Sequence, residues 1–140
     1  MASTTVRKEV AAPPDAVWAL LADFGNVSWI PMAPDVVVEG SGPGMRRRIR
    51  AGEGAPVVER LVSIDAGGRA LRYSIDENNP LPVLRYEATV HVAPAGEGRT
   101  AIRWDVSFEP SRDEAESVGA IEAIYGMMAA WLETAAKAAR

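Results

Sequence analysis

The hydrophobic positions of this chain follow a helical period in two segments and the alternating period of β-strands in most others. Residues 3–12 alternate weakly and predict a first strand. A proline pair then precedes Asp15 and opens a predicted helix, because proline suits a first helical turn and aspartate suits the positive end of the helix dipole. One apolar face marks this helix, formed by Val17, Leu20, Leu21 and Phe24.

Strand-like alternation dominates the middle of the chain. Residues 25–26 end the first helix, and residues 26–30 predict a second short helix before Pro31. Short turns rich in glycine, asparagine and proline then separate six predicted strands, at residues 36–39, 45–51, 57–65, 70–76, 84–93 and 100–109. Connections this short join antiparallel neighbours, so we expect a meander rather than parallel strands with crossover helices.

The C-terminal segment returns to helical spacing. Ser111 and Glu114 have the spacing of a capping box, which predicts a helix start there. The apolar stripe of a long helix follows, with Val118, Ile121, Tyr125, Met128, Leu132 and Ala135. These elements predict an α+β fold in which a curved, seven-stranded antiparallel sheet wraps a long C-terminal helix, with two short helices after the first strand. If the sheet curves strongly, a gap remains beneath the helix, and we expect a ligand cavity there.

Composition narrows the class of protein. The 140 residues fit one domain, residues 1–140, and 48% hydrophobic residues provide a core. The net charge of −4 argues against nucleic-acid binding, which needs a basic surface. No stretch approaches the ~20 apolar residues of a membrane span, and residues 1–5 lack the apolar run of a secretory signal. We therefore expect a cytoplasmic protein without stable membrane insertion.

Several short motifs occur in a fixed order along the chain. They are Ala12-Pro13-Pro14-Asp15-Ala16-Val17-Trp18, Phe24-Gly25-Asn26 with Trp29 and Pro31, Gly42-Pro43-Gly44-Met45-Arg46-Arg47, Val58-Glu59-Arg60-Leu61, Leu71-Arg72-Tyr73-Ser74-Ile75, Arg85-Tyr86 and Thr100-Ala101-Ile102-Arg103-Trp104. With them the chain resembles the START/Bet v 1-like (SRPBCC) superfamily, and within it the bacterial polyketide cyclase/dehydrase-like branch. The resemblance covers nearly the whole chain and implies a helix-grip fold with an internal cavity. Because the superfamily includes cyclases, lipid carriers and hormone receptors, it implies a ligand class rather than a reaction.

Part of the chain, from residue 44 to residue 86, also resembles the plant abscisic-acid receptors, in which two loops close over the ligand. Their counterparts here would be residues 51–56 and 77–82. The chain lacks the receptors' gate and latch sequences, so hormone sensing is not supported. Mobile loops at the mouth of the cavity are still expected.

A charged pair is the main candidate for chemistry. The resemblance turns Glu59, Arg47 and Ile49 toward the cavity. Simple alternation instead buries Val58, Val62 and Ile64 and leaves Glu59 on the opposite face. A β-bulge after residue 61, or a partly polar cavity, would reconcile the two. The pair is either a polar anchor or acid/base group for an oxygenated ligand, or an ion pair that joins two strands.

Aromatic side chains form the second group of candidates. Tyr73 and Tyr86 each offer an apolar ring and one hydroxyl, which would fix a carbonyl or phenol of a ligand. The same residues, with Trp29 and Trp104, could instead fill an ordinary core. The predicted catalytic residues are Glu59, Arg47 and Tyr86. The predicted ligand-binding residues are Trp29, Ile49, Leu61, Tyr73, Ile75, Tyr86, Ala88, Trp104, Val106, Tyr125 and Met128.

The sequence gives little support for a catalytic histidine, a reactive cysteine or a metal site. His91 is the only histidine, and strand parity places it on the outer face, away from Tyr86. The chain has no cysteine, which excludes thiolate chemistry and zinc–thiolate sites. No clustered acidic loop suits a harder metal ion. We therefore predict neither a metal site nor a cofactor.

Two functions remain open at this point. The first is binding or carriage of a mid-sized hydrophobic molecule, such as a polyketide, an aromatic compound, an isoprenoid or a lipid-like chain. The alternative is a cofactor-independent cyclase or dehydratase that uses Glu59, Arg47 and a tyrosine. A homodimer is compatible with either function.

Overall fold

The computed structural model describes residues 1–31, 35–50 and 53–138. In these ranges it contains the predicted α+β arrangement of seven strands and a long C-terminal helix. In chain order the elements are β1 (Ala2–Val10), α1 (Pro14–Ala22), β2 (Asp35–Glu39), β3 (Arg46–Arg50), β4 (Val57–Asp65), β5 (Ala70–Glu77), β6 (Val83–Pro94), β7 (Thr100–Pro110) and α2 (Glu114–Ala138).

All seven strands belong to one antiparallel sheet with the order β1-β7-β6-β5-β4-β3-β2. From β2 to β7 each strand pairs with its neighbour in the chain, which is the meander that the short turns predict. Strand β1 closes against β7 instead, with Val6 opposite Trp104. The two edges of the sheet are therefore β1 and β2.

The core lies between the concave face of the sheet and α2. Alternate residues of β7 are buried, namely Thr100, Ile102, Trp104, Val106 and Phe108. The facing stripe of α2 buries Ser117, Ile121, Tyr125, Ala129, Leu132 and Ala136. The rings of Trp104 and Tyr125 stack at a centroid distance of 4.5 Å. This contact joins the helix to β7, the strand next to the edge strand β1.

Strand β4 contains the irregularity that decides which residues face the core. Leu61 pairs with Tyr73 and Ser63 pairs with Arg72, so one residue between them has no partner on β5. A second register shift follows Val58. Because the unpaired residue reverses the alternation after Leu61, Glu59 and Leu61 share the inner face with Ile64, although strict alternation along the whole strand would place them on the opposite face.

Two local predictions are wrong. Residues 26–31 form turns instead of a second short helix. The Asn26 side chain accepts a hydrogen bond from the Ser28 amide, and Pro31 disfavours helical geometry at the residue before it.

The capping box at the start of α2 is also absent, since the Ser111 amide bonds to the carbonyl of Pro82. Asp113 caps the helix instead and accepts from the Ala115 amide at 3.2 Å. Neither of the two described helices is long and apolar enough to cross a membrane.

Candidate functional site

A cavity of about 140 Å³ lies between α2 and the strands β3 to β6. We call it the loop-side cavity, because the β5–β6 connection contributes to its wall. Apolar side chains form most of its surface, and the polar atoms come from Glu59 and three tyrosines. Its lining residues are Ile49, Val57, Glu59, Tyr73, Ile75, Pro80, Leu81, Tyr86, Ile124, Tyr125 and Met128.

A second and much smaller space, the inner cavity, has a volume of about 30 Å³. It is lined by Leu21, Phe24, Trp29, Arg47, Leu71, Tyr73, Val90, Trp104, Met128 and Leu132. Tyr73 and Met128 line both cavities, so these two side chains separate them. The inner cavity has room for a water molecule or one small chemical group, whereas the loop-side cavity has room for a ligand.

The charged pair predicted from the sequence forms at one side of these cavities. Arg47 and Glu59 are directly opposite each other on β3 and β4. The Arg47 guanidinium donates to Oε1 of Glu59 from Nε at 2.7 Å and lies 2.5 Å from it at Nη2. It also donates to the Phe24 carbonyl at 2.7 Å and stacks over the Phe24 ring at 3.9 Å. Because these contacts desolvate and hold Arg47, the pair also anchors the residues that follow α1.

Three tyrosine hydroxyls meet at the border of the two cavities. Tyr125 on α2 lies at the centre of this tyrosine cluster, with its hydroxyl 2.5 Å from that of Tyr73 and hydrogen-bonded to that of Tyr86. Burial raises the pKa of all three phenols well above their usual range, and the Glu59 carboxylate contributes to this rise for Tyr73 and Tyr86. The three hydroxyls therefore remain protonated at any physiological pH.

The structure brings most of the predicted site residues together. Ile49, Glu59, Ile75 and Tyr86 line the loop-side cavity, and Trp29, Arg47 and Trp104 line the inner one. Tyr73 and Met128 border both cavities, and Tyr125 borders the larger. Three of the predicted ligand-binding residues are buried in the core but line neither space, namely Leu61, Ala88 and Val106.

Some lining residues were not predicted as site residues from the sequence. Ile124 precedes Tyr125 on α2, so the apolar helical stripe could have indicated it. Pro80 and Leu81 belong to the predicted mouth loop at 77–82, although the pattern gave no reason to place them against a ligand. In the other predicted mouth loop, residues 51–52 lie outside the described residues.

The outer face of the sheet holds the remaining candidate. His91 on β6 lies 3.2 Å from the Asp105 carboxylate, which also contacts Arg103. This group is on the opposite side of the sheet from the tyrosine cluster. Among the described residues, no group of three or more potential ligands could hold a metal ion.

Comparison with known families gives a match over the full length. The family described as "Polyketide cyclase / dehydrase and lipid transport" matches residues 1–140. A curated plant relative, MLP-like protein 423 of Arabidopsis thaliana, is 28% identical over 120 residues. That alignment covers 78% of this chain and 77% of the plant protein.

Solved structures share the fold. The protein XoxI from Bacillus cereus is 28% identical with a TM-score of 0.81, and the match covers 96% of this chain and 95% of that one. Norcoclaurine synthase from Thalictrum flavum is 21% identical with a TM-score of 0.69, covering 95% and 84% of the two chains. At that identity the synthase shows the shared helix-grip fold alone.

Proposed function

The chain belongs to the polyketide cyclase / dehydrase and lipid transport family, and on that premise we propose that it binds a small hydrophobic molecule in the loop-side cavity. The observation that carries this proposal is the distribution of polarity. Most of the cavity wall is apolar, with Ile49, Ile75 and Ile124 among its residues, and its polar side-chain atoms come from Glu59 and the tyrosine cluster. Such a wall suits a ligand with an apolar body and one polar end.

The volume of the cavity sets the size of the ligand. An apolar protein cavity of about 150 Å³ accommodates benzene. The loop-side cavity, at about 140 Å³, therefore has room for one aromatic ring or a short branched chain. A ligand with several fused rings would need lining side chains to move aside, or would extend out of the cavity. Within the range of hydrophobic ligands expected from the sequence, the geometry favours the smallest.

A cavity-filling variant tests this proposal. Ile124→Trp places a large side chain into the space between α2 and β5, whereas Leu84→Trp adds the same side chain at a position that is 67% exposed. We expect toluene and similar single-ring compounds to bind the unmodified protein and Leu84→Trp, and to bind Ile124→Trp at least about tenfold more weakly. Protein NMR shifts and calorimetry measure both effects. Equal binding by all three proteins would place the ligand elsewhere.

A cofactor-independent cyclase or dehydratase is the second candidate function, and one observation favours it. Glu59 and protonated tyrosines border the same apolar cavity, where Glu59 could take a proton from a carbon next to a carbonyl group. A tyrosine hydroxyl could donate a hydrogen bond to the carbonyl oxygen as negative charge develops there. If the protein turns over such a substrate, Glu59→Gln should abolish turnover while the binding of the substrate is retained. Binding without turnover across a panel of β-keto and aromatic compounds would favour the carrier function.

A further inference from the structure

The tyrosine cluster has more hydrogen-bond donors than it uses. Three hydroxyls carry three protons, but two pairs of hydroxyls lie within hydrogen-bond distance, Tyr73 with Tyr125 and Tyr86 with Tyr125. Each bond uses one proton, so one O–H remains to donate. No other described residue accepts a hydrogen bond from these hydroxyls, and all three tyrosines line the loop-side cavity. The spare O–H is therefore available to an acceptor inside that cavity.

Glu59 supplies the complementary group. Its Oε1 atom accepts both contacts from Arg47, and no described residue donates to Oε2. The residue is 8% exposed and lines the same cavity as the tyrosines. A ligand that donates to Oε2 would form a charge-assisted hydrogen bond, which is stronger than one between neutral groups. Glu59 is also a diagonal neighbour of Tyr73 on the sheet, because Leu61, two residues after Glu59, pairs with Tyr73. The cavity wall thus presents one donor and one acceptor on neighbouring side chains.

We propose that the loop-side cavity selects a phenol, that is, a single aromatic ring whose hydroxyl accepts from the tyrosine cluster and donates to Oε2 of Glu59. This inference rests on the proposed binding function and specifies its ligand. A hydroxyl both donates and accepts, whereas a ketone or an ether accepts only. A hydrocarbon of the same size would leave both protein groups unpaired. The volume of about 140 Å³ matches a ligand body of about one ring.

Three ligands of similar shape test the selection in the unmodified protein. The compound p-cresol donates and accepts, 4-methylanisole accepts only, and p-xylene does neither. We expect p-cresol to bind about tenfold or more tightly than 4-methylanisole, since the ether cannot donate to the charged Glu59 oxygen. Comparable affinities for all three compounds would overturn the phenol inference and leave the proposed function intact. No binding by any of them would overturn both.

The variant Glu59→Gln changes the acceptor into a donor. Arg47 can only donate, so it holds the amide oxygen and turns the amide N–H₂ group toward the cavity. Glu59→Gln should therefore lose the preference and bind p-cresol and 4-methylanisole within about threefold of each other. Unchanged p-xylene affinity in this variant reports an intact cavity. A preference for p-cresol that persists in Glu59→Gln would overturn the role of Glu59. If the variant fails to fold, the ranking in the unmodified protein still decides the inference.

Discussion

Alkaline pH should unfold this protein through its tyrosines. The chain contains three tyrosines, and all of them belong to the buried cluster around Tyr125. Burial raises the pKa of each phenol in the folded state, so the folded chain keeps three protons that the unfolded chain loses. Stability is therefore fully present below the unfolded tyrosine pKa, near pH ~10, and is lost as the pH rises above it.

The size of the stability loss follows from the number of tyrosine protons that are released on unfolding. Each tyrosine that stays protonated only in the folded state lowers the free energy of unfolding by about 1.4 kcal/mol per pH unit, and three give a slope of about 4 kcal/mol per pH unit. A domain with a total stability of about 5–15 kcal/mol would then unfold within a few pH units above pH ~10.

Two measurements check this expectation on the same samples. Urea titrations at a series of alkaline pH values give the free energy of unfolding, and the near-ultraviolet absorbance of tyrosinate reports ionisation. We expect the two to change together, because ionisation requires unfolding. Tyr125→Phe should reduce the slope by about one third. Gradual ionisation near pH ~10 in a chain that remains folded would refute the reasoning, since it would mean that water reaches the hydroxyls.

Two further predictions concern stability and are measured by chemical denaturation. Arg47→Met should lower the free energy of unfolding by about 3–5 kcal/mol, because it leaves Glu59 buried without its cation. Adding Glu59→Leu should recover most of that loss. Equal stability of the single and the double variant would contradict a desolvated ion pair. Gly25→Ala should lower the free energy of unfolding by about 1–3 kcal/mol, because the new Cβ would lie 2.9 Å from Cγ2 of Val38. Val38→Ala should relieve this clash. An unchanged denaturation midpoint for Gly25→Ala alone would show that β2 moves freely.

Much of the fold could be predicted from the chain because its signals are local. Alternation and glycine-rich turns indicated the meander, and helical spacing indicated α2 with Tyr125 on its buried face. One error arose where a distant group competes for the same backbone atom. Ser111 has the spacing of a cap, but its amide bonds to Pro82, so Asp113 takes that role. The sequence of residues 111–114 gives no sign of this hydrogen bond to a distant residue.

The candidate site was predictable as a set of residues but not as an arrangement. The sequence and the family resemblance indicated Arg47, Glu59 and the tyrosines as cavity residues. The direction in which Glu59 points depends on the bulge in β4, which is a property of the pairing between β4 and β5.

The sequence by itself determined the order of the elements, the antiparallel meander and the apolar face of the long helix, because each depends on spacing between near neighbours. Only the tertiary structure decided that the hydroxyl of Tyr125 meets those of Tyr73 and Tyr86, and that the space beside them measures about 140 Å³. Both depend on how closely α2 packs against a curved sheet. That distance is set by all the side chains between them together, and no local pattern encodes it.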